Sequence, residues 1–156
     1  MSGIIAQNTL LSSGLIKSPA AGGAWNFISK QTASSDSTID FTSGIDSTYK
    51  LYLFTFNNIH PETDGVDFEF QDLNIGMGND NDQCLSGTLH LFAPSDTTFV
   101  KHFIARIQSP KDNDYHVDMF IAGYFNTTTA LTRLRFQMSS DAIDAGDICL
   151  YGLTTW

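Results

Sequence analysis

Apolar and polar positions alternate with a period of two through most of the chain after Trp25, and no long window carries helical spacing. The cleanest case is VDFEFQ at 66–71. Val66, Phe68 and Phe70 fall on one side and Asp67, Glu69 and Gln71 on the other, which predicts a half-buried strand. KLYLFTF at 50–56 is apolar on both sides, with Leu51 and Leu53 opposed to Tyr52, Phe54 and Phe56. That pattern predicts a central strand covered on both faces. Between 98 and 138, three apolar-rich runs are separated by PKDND and NTTTA. They predict a three-stranded antiparallel meander able to bury one full sheet face. Phe99, Phe103, Ala105 and Ile107 share one parity with Lys101, and Val117, Met119, Ile121 and Phe125 share another. Leu134, Phe136 and Met138 complete the set, opposed by Arg133, Arg135 and Gln137.

Shorter strands are predicted at 25–30, 38–42, 87–92 and 148–153, with a turn at 33–37 and loops at 57–65, 72–86 and 139–147. Pro19, Pro61, Pro94 and Pro110 all fall outside the predicted strands, in the arm, the 57–65 loop, APSD at 93–96 and PKDND at 110–114, as proline's missing N–H favours. The expected fold class is all-β, an antiparallel, jelly-roll-like β-sandwich of about nine strands. Residues 1–24 read as an extended N-terminal arm and 25–156 as the sandwich domain. The arm carries the apolar patches Ile4-Ile5, Leu10-Leu11 and Leu15-Ile16. Fully extended it reaches up to about 80 Å, which suits clamping onto a neighbouring subunit.

Composition narrows the function classes. The chain has 156 residues, 42% hydrophobic and 16% charged, which fits one folded domain. Its net charge is −9, and its eight Lys and Arg form no basic run, so neither nucleic acid nor an anionic membrane is an expected partner. No apolar run approaches the ~20 residues of a membrane span. The N-terminus lacks a basic n-region, so it does not read as a signal peptide, and a cytosol-like compartment is expected before release. Cys84 and Cys149 sit in no CxxC or metal-ligand spacing and read as packed thiols.

Candidate chemistry is sparse. Asn79-Asp80-Asn81-Asp82-Gln83 has the oxygen-rich composition of a calcium loop but lacks its sixth-position glycine and twelfth-position glutamate, and reads as a solvated turn. His60, His90, His102 and His116 are too far apart for a local zinc site, and the last three are expected on outer strand faces. Asp67 and Glu69 could be offered as a glycosidase pair, but an ordinary solvent-facing strand explains them better. No nucleophile elbow, P-loop or dinucleotide fingerprint occurs. The expectation is a protein without catalysis or cofactor. Trp25, Tyr49, Tyr115, Tyr151 and Trp156 are candidates for an interface or for stacking on sugars.

The phrases SSDSTIDFTSGIDSTYKLYLFTFNNIHPETDGVDFEFQ, GNDNDQCLSGTLHLFAPSDTTFVKHFIARIQS and DMFIAGYFNTTTALTRLRFQMSSDAIDAGDICLYGL resemble virion structural proteins of marine and freshwater tailed phages, cyanophages especially. The likeness covers residues 34–153. It implies a β-sandwich assembling as a homotrimer, found alone or at the outer end of longer tail proteins, and it implies no catalytic residues. Relatives often carry extra residues between the FQ strand and the NDNDQ loop, where this chain is short. The expected role is an outer-capsid cement, or decoration, protein on the virion surface. It would bind the major capsid protein and stabilise the icosahedral shell. The alternative is the receptor-binding tip of a tail fibre or tailspike, holding host surface glycan. Ile4, Ile5, Leu10, Leu11, Leu15 and Ile16 are the expected capsid or neighbour contacts. Lys101, His102, Arg106, Arg133 and Arg135 are read as a cationic outer face of the meander, with Arg106, Arg133 and Arg135 as subunit contacts.

Overall fold

The computed structural model describes residues 24–69 and 73–154, with Glu69 described by its backbone alone. The strands are β1 (Trp25–Asp36), β2 (Ile39–Phe41), β3 (Leu51–Pro61), β4 (Val66–Glu69), β5 (Asn74–Met77), β6 (Leu85–Phe92), β7 (Lys101–Pro110), β8 (His116–Phe125), β9 (Leu134–Met138) and β10 (Ile143–Leu153). They pair antiparallel in a six-stranded sheet, β1-β10-β3-β6-β7-β8, and a four-stranded sheet, β2-β9-β4-β5. The protein is an all-β antiparallel sandwich. Its chain passes repeatedly between the sheets, a strand order compatible with the jelly-roll-like expectation, and the β7–β8 hairpin widens the six-stranded sheet at one edge.

The predicted three-stranded meander does not form. β7 and β8 pair along their whole length, but β9 crosses to the other sheet, where Phe136 pairs with Ile39 and Met138 with Phe68. The connection is pinned on the way by Leu131 N–H donating to the Pro94 carbonyl at 2.9 Å. Alternation shows which side of a strand is apolar, but an apolar side fits equally well on either sheet of a sandwich. Two further expectations fail beside it. Lys101 points inward and is wholly buried, its Nζ donating to the Thr127 carbonyl at 3.2 Å. Phe99 lies outside β7 and is 70% exposed. Its N–H and that of Thr98 are held by the Asp96 carboxylate, in a turn that ends before the strand begins.

The core lies between the sheets, and Phe136 is its centre. Its ring meets Phe54 and Phe56 of β3 at 5.3 and 5.2 Å, and Phe41 and Phe68 of its own sheet at 6.2 and 5.9 Å. Val66 and Phe68 point inward as their alternation predicts; Phe70 and Gln71 lie outside the described residues. Tyr52 is fully buried, its hydroxyl donating to the Asp46 carbonyl at 2.9 Å and accepting from the Asp46 N–H at 3.0 Å. Burial raises the pKa of that phenol.

The loop predicted at 72–86 contains β5. Its inward Asn74 donates to Ser109 at 2.6 Å in a buried contact between the sheets, and Met77 bridges to Lys111. An inward asparagine hides such a strand from a hydrophobic pattern. β3 runs on to Pro61 and β10 begins at Ile143, so the flanking loops are also shorter than predicted. At the β10 register shift Gly146 has φ +117°, and a Cβ there would lie 2.5 Å from the Asn58 carbonyl oxygen.

Candidate functional site: an exposed sheet face

The two faces of the six-stranded sheet differ in what covers them. The inner face is buried under the four-stranded sheet. The outer face has no second layer among the described residues, yet it is apolar. One row across it runs Tyr151, Leu53, His90, Ile104 and Ala122. Beside it lie Leu153, Leu51 and Phe92. Phe27 packs its ring on Tyr151 at 5.7 Å, Trp25 reaches His90 at 6.0 Å, and His102 meets Tyr124 at 6.1 Å. Trp25, Phe27, Phe92, Ile104, Phe120 and Tyr124 are all exposed, with Phe27 at 61% and Phe120 at 76%. Thus β3 is central, but Leu51 and Leu53 are only half-buried, against the expectation that both its faces are covered. A contiguous apolar, aromatic-rich face is the usual mark of a protein contact surface.

At one end the face turns polar. Ser86, Gln108 and Asp118 form one cross-strand row, and Thr88, Arg106 and Phe120 the next. Arg106 donates twice to Asp118, at 3.1 and 2.7 Å, and its guanidinium sits 4.8 Å from the Phe120 ring centroid. Ser86, Thr88, Arg106, Gln108, His116 and Asp118 line a shallow trough there. The hydrogen bonds from Arg106 hold the Asp118 carboxyl below its usual pKa. Burial holds His90 below the usual imidazole value.

Arg133 and Arg135 lie on the other sheet's strand and its approach, so the cationic set does not form one surface. Arg135 donates twice to Asp40, at 2.7 and 3.0 Å, which lowers the Asp40 pKa. Arg133 has no ion-pair partner among the described residues. It stands at the mouth of a cleft of about 470 Å³ between the sheets, walled by Leu89, Phe103, Phe125, Leu134 and Phe136. Ile4, Ile5, Leu10, Leu11, Leu15, Ile16 and Trp156 lie outside the described residues.

No family model, curated protein or solved structure matches this chain.

The remaining candidates have structural roles. Asp67 accepts the Gly76 N–H at 2.7 Å, tying β4 to β5. In the asparagine- and aspartate-rich turn, the Gln83 side chain is buried and donates to Asp114 at 2.8 Å. Among the described residues no three His, Cys, Asp or Glu side chains are grouped to hold a metal ion. Cys84 and Cys149 are free thiols. His102 and His116 are exposed and His90 half-buried, all on the outer face as alternation predicted. Sequence reasoning missed the outer face itself. Its signal lies in strands that stay apolar on both parities, at Leu51 and Leu53, at Ile104 and at Phe120 and Tyr124.

Proposed function

We propose that this protein is a virion structural protein, an outer-capsid cement protein that binds the icosahedral shell as a homotrimer and stabilises it. The observation that carries the reading is the apolar outer face of the six-stranded sheet. Leaving Phe27, Phe92, Ile104, Phe120 and Tyr124 in water is unfavourable, and a protein neighbour relieves that cost. The sequence resemblance to phage virion proteins supplies the kind of neighbour. A protein that binds only the assembled shell stabilises it by linkage, with no chemistry required. The net charge of −9 keeps decorated particles apart in solution. Quantitative proteomics and labelling of intact virions test this. The protein should be present in proportion to the shell subunits and mapped onto the head. A handful of copies confined to the tail would overturn it.

The trough beside Phe120 favours one second reading, a glycan-binding tip on a tail fibre or spike. A paired Arg106 and Asp118, the Gln108 amide and an exposed ring offer hydroxyl partners and a stacking surface. This reading requires saturable binding of purified protein to host cells, competed by their surface polysaccharide and lost in Arg106→Ala. Absence of such competition removes it.

A further inference from the structure

Among the described residues, four strands end the two sheets: β1, β8, β2 and β5. Three of them are guarded against pairing. β2 has three residues and β5 four, and β5 is bridged to Lys111. β1 is bulged at Phe27–Ser29 and carries Lys30, Gln31, Thr32, Ser34 and Ser35. β8 is different. It is ten residues long, pairs with β7 without a register shift, and contains no Lys, Arg or Pro. Its outer side shows Phe120, Ala122 and Tyr124 exposed, and its inner side leaves Val117, Met119, Ile121 and Phe125 only half-buried. A long, regular, apolar edge is a template for another strand.

The chain outside the structure carries a segment that fits it. Residues 8–17, NTLLSSGLIK, match β8 in length. In an extended strand, alternate residues point to opposite faces. Leu10 and Ile16 then share one face, and Leu11 and Leu15 the other. That arrangement supplies two apolar side chains to each side of β8, which needs cover on both. Pro19 follows after Ser18, where a strand over 8–17 would end. The segment carries Lys17 and no carboxylate, on a chain whose net charge is −9.

Reach decides whose β8 is covered. The arm enters the sheet at Trp25 on β1, the edge opposite β8. The eight steps from Lys17 to Trp25 span about 26–29 Å at full stretch. Lying beyond its own β8 requires crossing six strand spacings, roughly 28–29 Å. The own-chain path would need a linker of Ser, Pro, Ala and Gly pulled straight, whereas a neighbouring β8 set beside β1 needs no stretch. We infer that residues 8–17 of one copy add to β8 of the next copy as a seventh strand of the six-stranded sheet. The contact is head-to-tail, from the β1 side of one copy to the β8 side of the next, the kind that builds a ring when the rotation between copies closes. It holds whether or not the shell is the protein's destination.

Light scattering after gel filtration, with amide hydrogen exchange over 116–125, tests the inference on the free protein. The full chain should be oligomeric with protected β8 amides. A chain lacking residues 1–17 should be a folded monomer whose β8 amides exchange at least tenfold faster. The full-length Leu11→Asp/Leu15→Asp variant should behave like the truncation, which covers the case of a deletion that fails to fold. An oligomer that persists in both variants, or β8 amides equally protected with and without the arm, overturns the inference. So does a monomeric full chain with protected β8 amides, which would mean pairing within one copy. Shell binding is a separate measurement, so loss of the oligomer and loss of the capsid role can be told apart.

Discussion

The sharpest contrast in this molecule is between two phenylalanines. Phe136 is 3% exposed at the centre of the inter-sheet cluster, and Phe120 is 76% exposed on the outer face. Phe136→Ala removes a ring packed against Phe41, Phe54, Phe56 and Phe68, drawn from both sheets. Neighbours on three other strands cannot all collapse into the space, so the cost should be about 3–5 kcal/mol. For a chain of this size that lowers Tm by roughly 6–20 °C. It lowers the urea midpoint by about 2 M at an m-value of about 2 kcal/mol/M. Phe120→Ala has little burial to lose and should stay within about 1 kcal/mol of the parent. Urea unfolding at low protein concentration, followed by tryptophan fluorescence and circular dichroism, measures both. Equal costs for the two substitutions would refute this contrast. A large loss at Phe120 would mean that the outer face is already covered within a single chain. A small loss at Phe136 would mean that the sheets do not pack on it.

Other consequences are as specific. Gly146→Ala should cost more than about 2 kcal/mol, because a Cβ would collide with the Asn58 carbonyl at φ +117°; an unchanged urea midpoint would refute the register shift placed there. Acid should destabilise the fold in two stages. His90 is held below its usual pKa by burial, so the unfolded chain takes up its proton first, and stability falls as pH drops below about 6.5. Asp40, Asp46, Asp96, Asp118 and Asp147 are depressed by hydrogen bonds, chiefly from Arg135, Thr48, Phe99, Arg106 and Thr32 respectively. Their stabilisation is complete above about 3.9 and is lost as pH falls through their lower folded values. Melting curves from pH 8 to 2 should show both steps, with the first absent in His90→Gln. Asp67→Ala should destabilise the protein by releasing the Gly76 N–H, with the loss seen as faster hydrogen exchange at Gly76; unchanged exchange there would refute it.

The strands were legible where one face is buried. VDFEF and LRFQM alternate cleanly, and Val66, Phe68, Phe136 and Met138 are in the core. Sheet membership was not legible, because β9 satisfies its apolar side on the four-stranded sheet as well as it would beside β8. β5 escaped because its inward Asn74 is satisfied by Ser109 and not by apolar packing. The cationic surface expected on the meander dissolved for a related reason. Lys101 follows the inward parity of β7, and Arg106 and Arg135 each find a carboxylate cross-strand in their own chain. The candidate face was half-legible. Leu51, Leu53, Ile104 and Phe120 were visibly apolar, but a sequence does not say whether a second layer lies over them.

Under the proposed function, the protein binds the shell through the outer face of its six-stranded sheet. Phe27→Ser/Ile104→Ser makes two exposed positions of that face polar while leaving the core intact. Purified variant and parent can be added to phage shells lacking the protein, and bound copies counted by quantitative gel or cryo-electron microscopy. The variant should fold like the parent and bind the shell at least tenfold more weakly. Full occupancy by the variant at the parent's concentration would contradict it.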